Sequence, residues 1–291
     1  MRQLVPGVLF AFLWASASVA TKFGIAVADP LTLATARFFI AGAGMLVFAY
    51  VVLPSKNRLP KGGEWQQLFV FSLMNTSIYL GTFVIAMKEV SAGIGSLSTA
   101  TNPLFIIVMS AIWLKRNLKT REVVGVTLGL LGVVLACYPL LLTSYANLKG
   151  LLILLAGMLS VSAATVYYAR IPWTLSSVVI NGWQVLFGGV VLLPIVLLTG
   201  GISKSHFNLQ FWLSAGWLII PVSVIGLQLW FYLVKIDTVK ASLWIFLCPI
   251  FGFANAYFIL HEPITWHTFA GTFLVIAGLY LAQKEKLDKA L

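Results

Sequence analysis

Charge is scarce in this chain of 291 residues: Asp, Glu, Lys and Arg make up 9% of it, against about 25% in a soluble domain. With 60% hydrophobic residues and a mean hydropathy of +0.98, the composition excludes an ordinary soluble fold. Cysteine is nearly absent. Cys137 and Cys248 both lie inside apolar runs, which excludes a disulfide framework and leaves no metal-ligand spacing. Acids are few as well. Asp29, Glu64, Glu89, Glu122, Asp237, Glu262, Glu285 and Asp288 all fall at or beyond the ends of apolar runs. A buried carboxylate proton relay is therefore not expected. His206, His261 and His267 also sit near run ends, so no acid/base or metal constellation for catalysis is present. Ser18 and Lys22 have i, i+4 spacing, but no oxyanion-hole signal accompanies them. The expectation is no enzyme and no cofactor. No connection is long enough to hold a soluble domain.

What the chain does have is long apolar runs. Read between charges and Pro/Gly breaks, they number ten, at about 5–27, 31–53, 66–87, 91–113, 122–142, 149–169, 176–199, 211–234, 241–260 and 266–283. They are apolar all round and too long for barrel strands, which alternate over about ten residues. The first run lacks a basic flank beyond Arg2 and a small-residue cleavage site, and reads as a retained helix. The net charge of +11 is dispersed through short connections, which argues for topology and against nucleic-acid binding. One set of alternate connections holds fourteen Lys and Arg, and the other holds only Lys88, Lys149 and Lys204. The positive-inside rule then places both termini in the cytoplasm and the chain in the cytoplasmic membrane as a multi-pass protein.

The chain also repeats itself. Asn102-Pro103-Leu104-Phe105 returns 146 positions later as Cys248-Pro249-Ile250-Phe251, and Gly125 and Gly132 fall on Gly271 and Gly278. At an offset of 144, Ser16, Ser18, Ala20 and Thr21 fall on Ser160, Ser162, Ala164 and Thr165. Five spans per half is an odd number, so the halves should have opposite orientation. The expected fold is an all-α integral membrane protein of ten transmembrane helices in two inverted five-helix repeats, residues 1–145 and 146–291. Secondary transporters are commonly built this way, with the substrate between the repeats.

Three stretches bear a family likeness. Leu13-Trp14-Ala15-Ser16 through Lys22, then Pro30 and Ala36-Arg37-Phe38, resembles the opening pattern of EamA-type members of the drug/metabolite transporter superfamily. Asn102-Pro103-Leu104-Phe105, after the Gly/Ser-rich stretch from Ala92 to Ala100, resembles that family's fourth-helix signature. Leu260-His261-Glu262-Pro263-Ile264-Thr265, followed by Gly271 and Gly278, resembles its turn between helices nine and ten. The sequence departs from the family pattern at Lys115-Arg116-Asn117, where an acid is usual, and at Ala15, where a glycine is usual. The likeness covers the whole chain. It implies a transporter, commonly an exporter of amino acids or related metabolites.

Polar side chains at membrane depth face a cavity or another helix. Ser72, Asn75, Tyr79 and Thr82 form one helical face, and Trp14, Ser18 and Lys22 another. Asn102, Ser160, Tyr167, Asn181, Gln184 and Gln228 could converge with them on a central pocket, walled by Trp14, Tyr79 and Trp230. Packing between helices is the competing reading for the hydroxyls and amides. Lys22 and Arg37, the two cations inside spans, should lie at similar depth. Either they attract an anion together, or Lys22 snorkels outward while Arg37 binds carbonyls or Glu89. Organic cations and phosphorylated metabolites are the alternative substrates to amino acids. Pro103 and Pro249 occupy matched positions, as hinges or as static kinks. The expected partners are a small-molecule substrate and the lipid bilayer. The glycine faces of spans 5 and 10 suggest close packing or a homodimer contact.

Overall fold

The computed structural model describes residues 4–54, 57–115, 117–143, 145–236 and 244–288. These residues are helical, with no strand among them beyond a single bridge between Val90 and Ala146. Helix α1 (Leu4–Ile25) is followed by α2 (Pro30–Val47), which runs on into a π-helical stretch, Phe48–Val52. The third apolar run is α3 (Glu64–Ser72), a π-helical stretch Leu73–Ile78 and α4 (Tyr79–Ala86). Then come α5 (Ala92–Leu114), α6 (Thr120–Leu142), α7 (Leu148–Arg170) and α8 (Ser177–Leu198). The eighth run is α9 (Leu209–Trp217), a π-helical stretch Leu218–Gly226 and α10 (Leu227–Ile236). A 3₁₀ turn at Ile245–Leu247 leads into a helix at Cys248–Leu260, and the last helix is Trp266–Asp288.

Helix starts follow local chemistry. The Asp29 carboxylate accepts the Leu31 and Thr32 N–H groups at 3.0 and 3.2 Å, with Pro30 in the first turn where its missing N–H costs nothing. Ser91, Asn147, Ser176 and Asn208 cap α5, α7, α8 and α9 in the same way. Helix α5 and the Cys248–Leu260 helix both end on a left-handed residue, Lys115 (φ 49°) and His261 (φ 55°). These two caps lie 146 residues apart, the offset of the sequence repeat.

Eight helices among the described residues are long and apolar enough to cross a membrane, and Cys248–Leu260 and Trp266–Ala282 are shorter apolar helices. The ninth expected run, 241–260, falls partly outside the described residues. Its helix begins at Cys248, so Pro249 stands in a first turn and not in mid-helix as expected. Pro103, its counterpart, does lie inside α5. Large apolar side chains cover the outside. Leu198 is 88% exposed, Phe258 73% and Phe273 70%, an apolar surface suited to lipid. The chain is an integral membrane protein.

The helices pack in matched sets. Helix α2 packs on α8, α5 on Cys248–Leu260, and α6 on Trp266–Asp288. Helix α1 packs on the Cys248–Leu260 helix as α7 packs on α5, and α1 lies along 209–236 as α7 lies along 64–86. The closest approach is between α6 and the last helix. A Cβ on Gly125 would stand 2.5 Å from the Gly278 carbonyl oxygen, and one on Gly132 would stand 2.6 Å from that of Gly271. The small-residue faces thus fill each other within the chain. A homodimer through these helices would have to use their outer apolar faces instead.

Candidate functional site

Helix α8 presents Gln184, seven residues past Ser177, to the π-helical turn of the third run. Its side-chain oxygen accepts from the Thr76 hydroxyl at 2.6 Å and the Asn75 amide at 3.0 Å. Its amide donates to the Asn181 oxygen at 3.3 Å, and its backbone carbonyl accepts from Ser72 at 2.5 Å. Gln184 and Asn181 are both buried. Nearby, Ser160 donates to the Met74 carbonyl at 2.8 Å, and Ser162 donates to the Asn102 side-chain oxygen at 2.7 Å. Asn75, Asn102, Ser160, Asn181 and Gln184, expected to line an open pocket, are thus engaged in hydrogen bonds within and between helices.

Helix α2 makes the corresponding contact to the eighth run. Arg37 stands seven residues past Pro30, about 10 Å along the helix at 1.5 Å per residue. Its Nε and Nη2 donate to the Ser223 hydroxyl at 3.2 and 2.9 Å, and its guanidinium carbon lies 6.0 Å from the centre of the Phe38 ring. The residue is 9% exposed, and Tyr79 and Arg37 are within electrostatic reach of each other. No carboxylate is among its partners in the described residues. Central burial of such a cation in a membrane helix costs about 2.5–3.5 kcal/mol on insertion scales. Arg37 and Gln184 are 147 residues apart, as are Thr76 and Ser223.

The expected single face of Ser72, Asn75, Tyr79 and Thr82 is split. The wide turn at Leu73–Ile78 shifts the helical phase. Ser72, Asn75 and Thr76 meet α8, whereas Tyr79 packs beside Phe105, Met158 and Val161. Thr82 bonds back to the Ile78 and Tyr79 carbonyls. The expected aromatic wall is split as well. Trp230 stacks on Phe10 at 5.1 Å with Trp14 beside it, in a cluster with Leu233 that does not include Tyr79. Gln228 is exposed, and Tyr167 packs with the Phe71 and Leu175 cluster. Ser18 is buried beside Gly95.

Lys22 and Arg37 do not share neighbours. Lys22 is half-buried and lines a cavity of about 370 Å³ with Lys88, Glu89, Ser91, Tyr145, Asn147 and Glu262. Glu89 and Glu262 are the acids whose fields reach the Lys22 ammonium. Both are engaged elsewhere. Glu262 accepts the Ala92 and Gly93 N–H groups at 2.7 and 3.2 Å, capping α5 from the far half of the chain. The Asn147 amide donates to Glu89. Sequence reasoning missed Ser223 and Thr76. The 147-residue offset that pairs Arg37 with Gln184 would have pointed to both.

The described residues form a bundle of apolar helices tied by polar contacts in its interior and at its connections. The EamA-like transporter family matches residues 3–138 and, a second time, residues 148–283. The chain belongs to this family, within the drug/metabolite transporter superfamily. An uncharacterized transporter of Archaeoglobus fulgidus is 25% identical over 98% of this chain and 100% of its own length. The uncharacterized transporter YvbV of Bacillus subtilis is 27% identical over 93% of this chain and 88% of its own. The uncharacterized inner membrane transporter YedA of Escherichia coli is 28% identical over 80% of this chain and 76% of its own. A solved crystal structure, described only as that of a protein, shares the fold with a TM-score of 0.66 at 18% identity, covering 100% of this chain and 99% of that one.

Proposed function

We propose that this protein is a secondary transporter of the cytoplasmic membrane that exports amino acids by alternating access. In this reading it is two inverted five-helix repeats with both termini in the cytoplasm, and substrate passes between them. Amino-acid export rests on the family likeness, and alternating access is supported by the matched pair of interior contacts, Arg37 with Ser223 and Gln184 with Thr76. Each ties a helix of one half to a π-helical turn of the other. An alternating-access carrier needs two such contacts, one opening as the other closes. On the proposed inverted orientation, one would face each side of the membrane. Pro103, inside α5, and Pro249, in the first turn of its helix, are the hinge candidates.

The 370 Å³ cavity around Lys22 then lies at the outer end, beyond the Arg37–Ser223 contact. Glu262 on the α5 N-terminus and Asn147 on Glu89 hold that end together.

Counterflow uptake into proteoliposomes, with a labelled amino-acid mixture and an empty-liposome control, tests this directly. Saturable uptake, lost when Tyr79 or Gln184 is replaced by alanine, is the expected result. Folded protein that gives no uptake above the control would overturn amino-acid transport. Organic cations and phosphorylated metabolites would then be tested in the same vesicles.

A further inference from the structure

The geometry points to Arg37, which rests on Ser223, as a carboxylate-binding site that takes one negative charge on the substrate. The carboxylate displaces the Ser223 hydroxyl from the guanidinium. This deepens the transport reading and rests on it for the passage of substrate, but binding can be measured by itself.

Three observations carry the inference. First, the guanidinium is a planar fork of five donors, and Nε and Nη2 both converge on one neutral oxygen. A carboxylate matches that fork with two oxygens and compensates the charge, which a hydroxyl does not. Second, the acids whose side chains are described are engaged elsewhere. Asp29 caps α2, Glu64 pairs with Arg58, Glu89 bonds Asn147, Glu122 accepts the Lys119 N–H, and Glu262 caps α5. Asp237, Glu285 and Asp288 lie outside the described side chains. Third, the matched position in the other half is Gln184, which meets the corresponding hydroxyl of Thr76 without a charge, accepting where Arg37 donates. The fold at this position therefore needs a donor or acceptor, and not a cation.

The charge balance also selects the ligand class. Lys22 faces its own cavity with Glu89 and Glu262, so Arg37 supplies a single positive charge. A monocarboxylate balances it, whereas a phosphomonoester, at about −1.5 to −2 near neutral pH, leaves charge uncompensated.

The test uses the full chain in lipid nanodiscs, with thermal unfolding followed by tryptophan fluorescence. The probes are L-leucine, isovalerate (the carboxylate without the amine), isopentylamine (the amine without the carboxylate) and inorganic phosphate. L-leucine and isovalerate should raise the unfolding midpoint in proportion to occupancy, and isopentylamine and phosphate should not. Arg37→Gln, which copies the Gln184 arrangement, should fold and bind isovalerate about tenfold or more weakly. Ser223→Ala should keep the isovalerate response, because Ser223 holds the guanidinium only in the empty site.

A structural tie alone would lower the midpoint in both variants with no carboxylate response in the parent, and that result overturns the site. So does an isovalerate response that survives unchanged in Arg37→Gln. Should Arg37→Gln not fold, Arg37→Lys decides. Isovalerate must then bind several-fold more weakly, and affinity equal to the parent overturns the bidentate site. Counterflow separates the two levels. No transport with an intact, Arg37-dependent isovalerate response defeats the transport reading and leaves the site. Transport with an Arg37-independent response does the reverse.

Discussion

The contact between α2 and the Leu218–Gly226 turn and the contact between α8 and the Leu73–Ile78 turn have the same plan and opposite electrostatics. Each begins seven residues into its helix, at Arg37 or Gln184, and reaches a hydroxyl in a π-helical turn, Ser223 or Thr76. Gln184 is embedded in a closed amide network with Asn75 and Asn181. Arg37 has, among the described residues, the Ser223 hydroxyl and the Phe38 ring. The neutral version shows what holding helix to turn requires. The additional charge in the other version is unfavourable for stability in a membrane interior, which is the ground for the carboxylate-binding proposal.

The comparison can be broken most forcefully by making the second contact resemble the first. Gln184→Arg would set a guanidinium against Thr76 and Asn75 with no carboxylate partner among them. A loss of about 2.5–3.5 kcal/mol is expected on membrane-insertion scales, read as reduced resistance to denaturant in detergent micelles. An unchanged denaturation midpoint would mean that the two positions tolerate charge equally.

A smaller effect is expected at the end of the molecule that holds the cavity. Glu262 completes the α5 N-terminus with a charged acceptor, and 146 residues earlier the sequence has Arg116, which cannot accept a hydrogen bond. Glu262→Gln keeps an acceptor but loses the charge at the helix N-terminus, for a cost of about 1 kcal/mol. Amide hydrogen exchange at Ala92 and Gly93 should quicken while exchange in α8 does not. Unaltered exchange at those two amides would count against the cap.

The smallest effect sharpens the comparison itself. Thr76→Val removes one hydroxyl from the Gln184 network, whose oxygen keeps Asn75 as donor. Interhelical hydrogen bonds in membranes average about 0.6 kcal/mol, so the midpoint should move only slightly. A loss several times larger would show that the neutral contact is the principal tie between the halves.

Much of the fold was legible in the sequence. Ten apolar runs, their charge asymmetry and the internal offsets led to a helical membrane protein, and helix boundaries fell within a few residues wherever Asp29, Ser91 or Asn147 supplied a cap. The membership of faces was less legible. Regular periodicity put Asn75 and Tyr79 on one side, and the π-helical turn between them sends Asn75 to α8 and Tyr79 to the Met158 cluster. Lys22 and Arg37 looked alike in the sequence because each is a cation a few residues inside its span. Which neighbour each side chain meets depends on helix rotation, and a hydrophobic pattern that is apolar all round carries no information on that angle.

Sequence alone therefore determined that the chain is an integral membrane protein of the EamA-like family with an internal repeat. Apolar length against bilayer thickness and the placing of Lys and Arg are one-dimensional properties. Only the tertiary structure decided that the glycines of α6 meet those of the last helix within the chain, that Glu262 caps α5, and that Arg37 rests on Ser223 apart from Lys22. Those contacts join residues far apart in the chain, and they follow from how helices rotate and approach once the lipid has imposed their common direction.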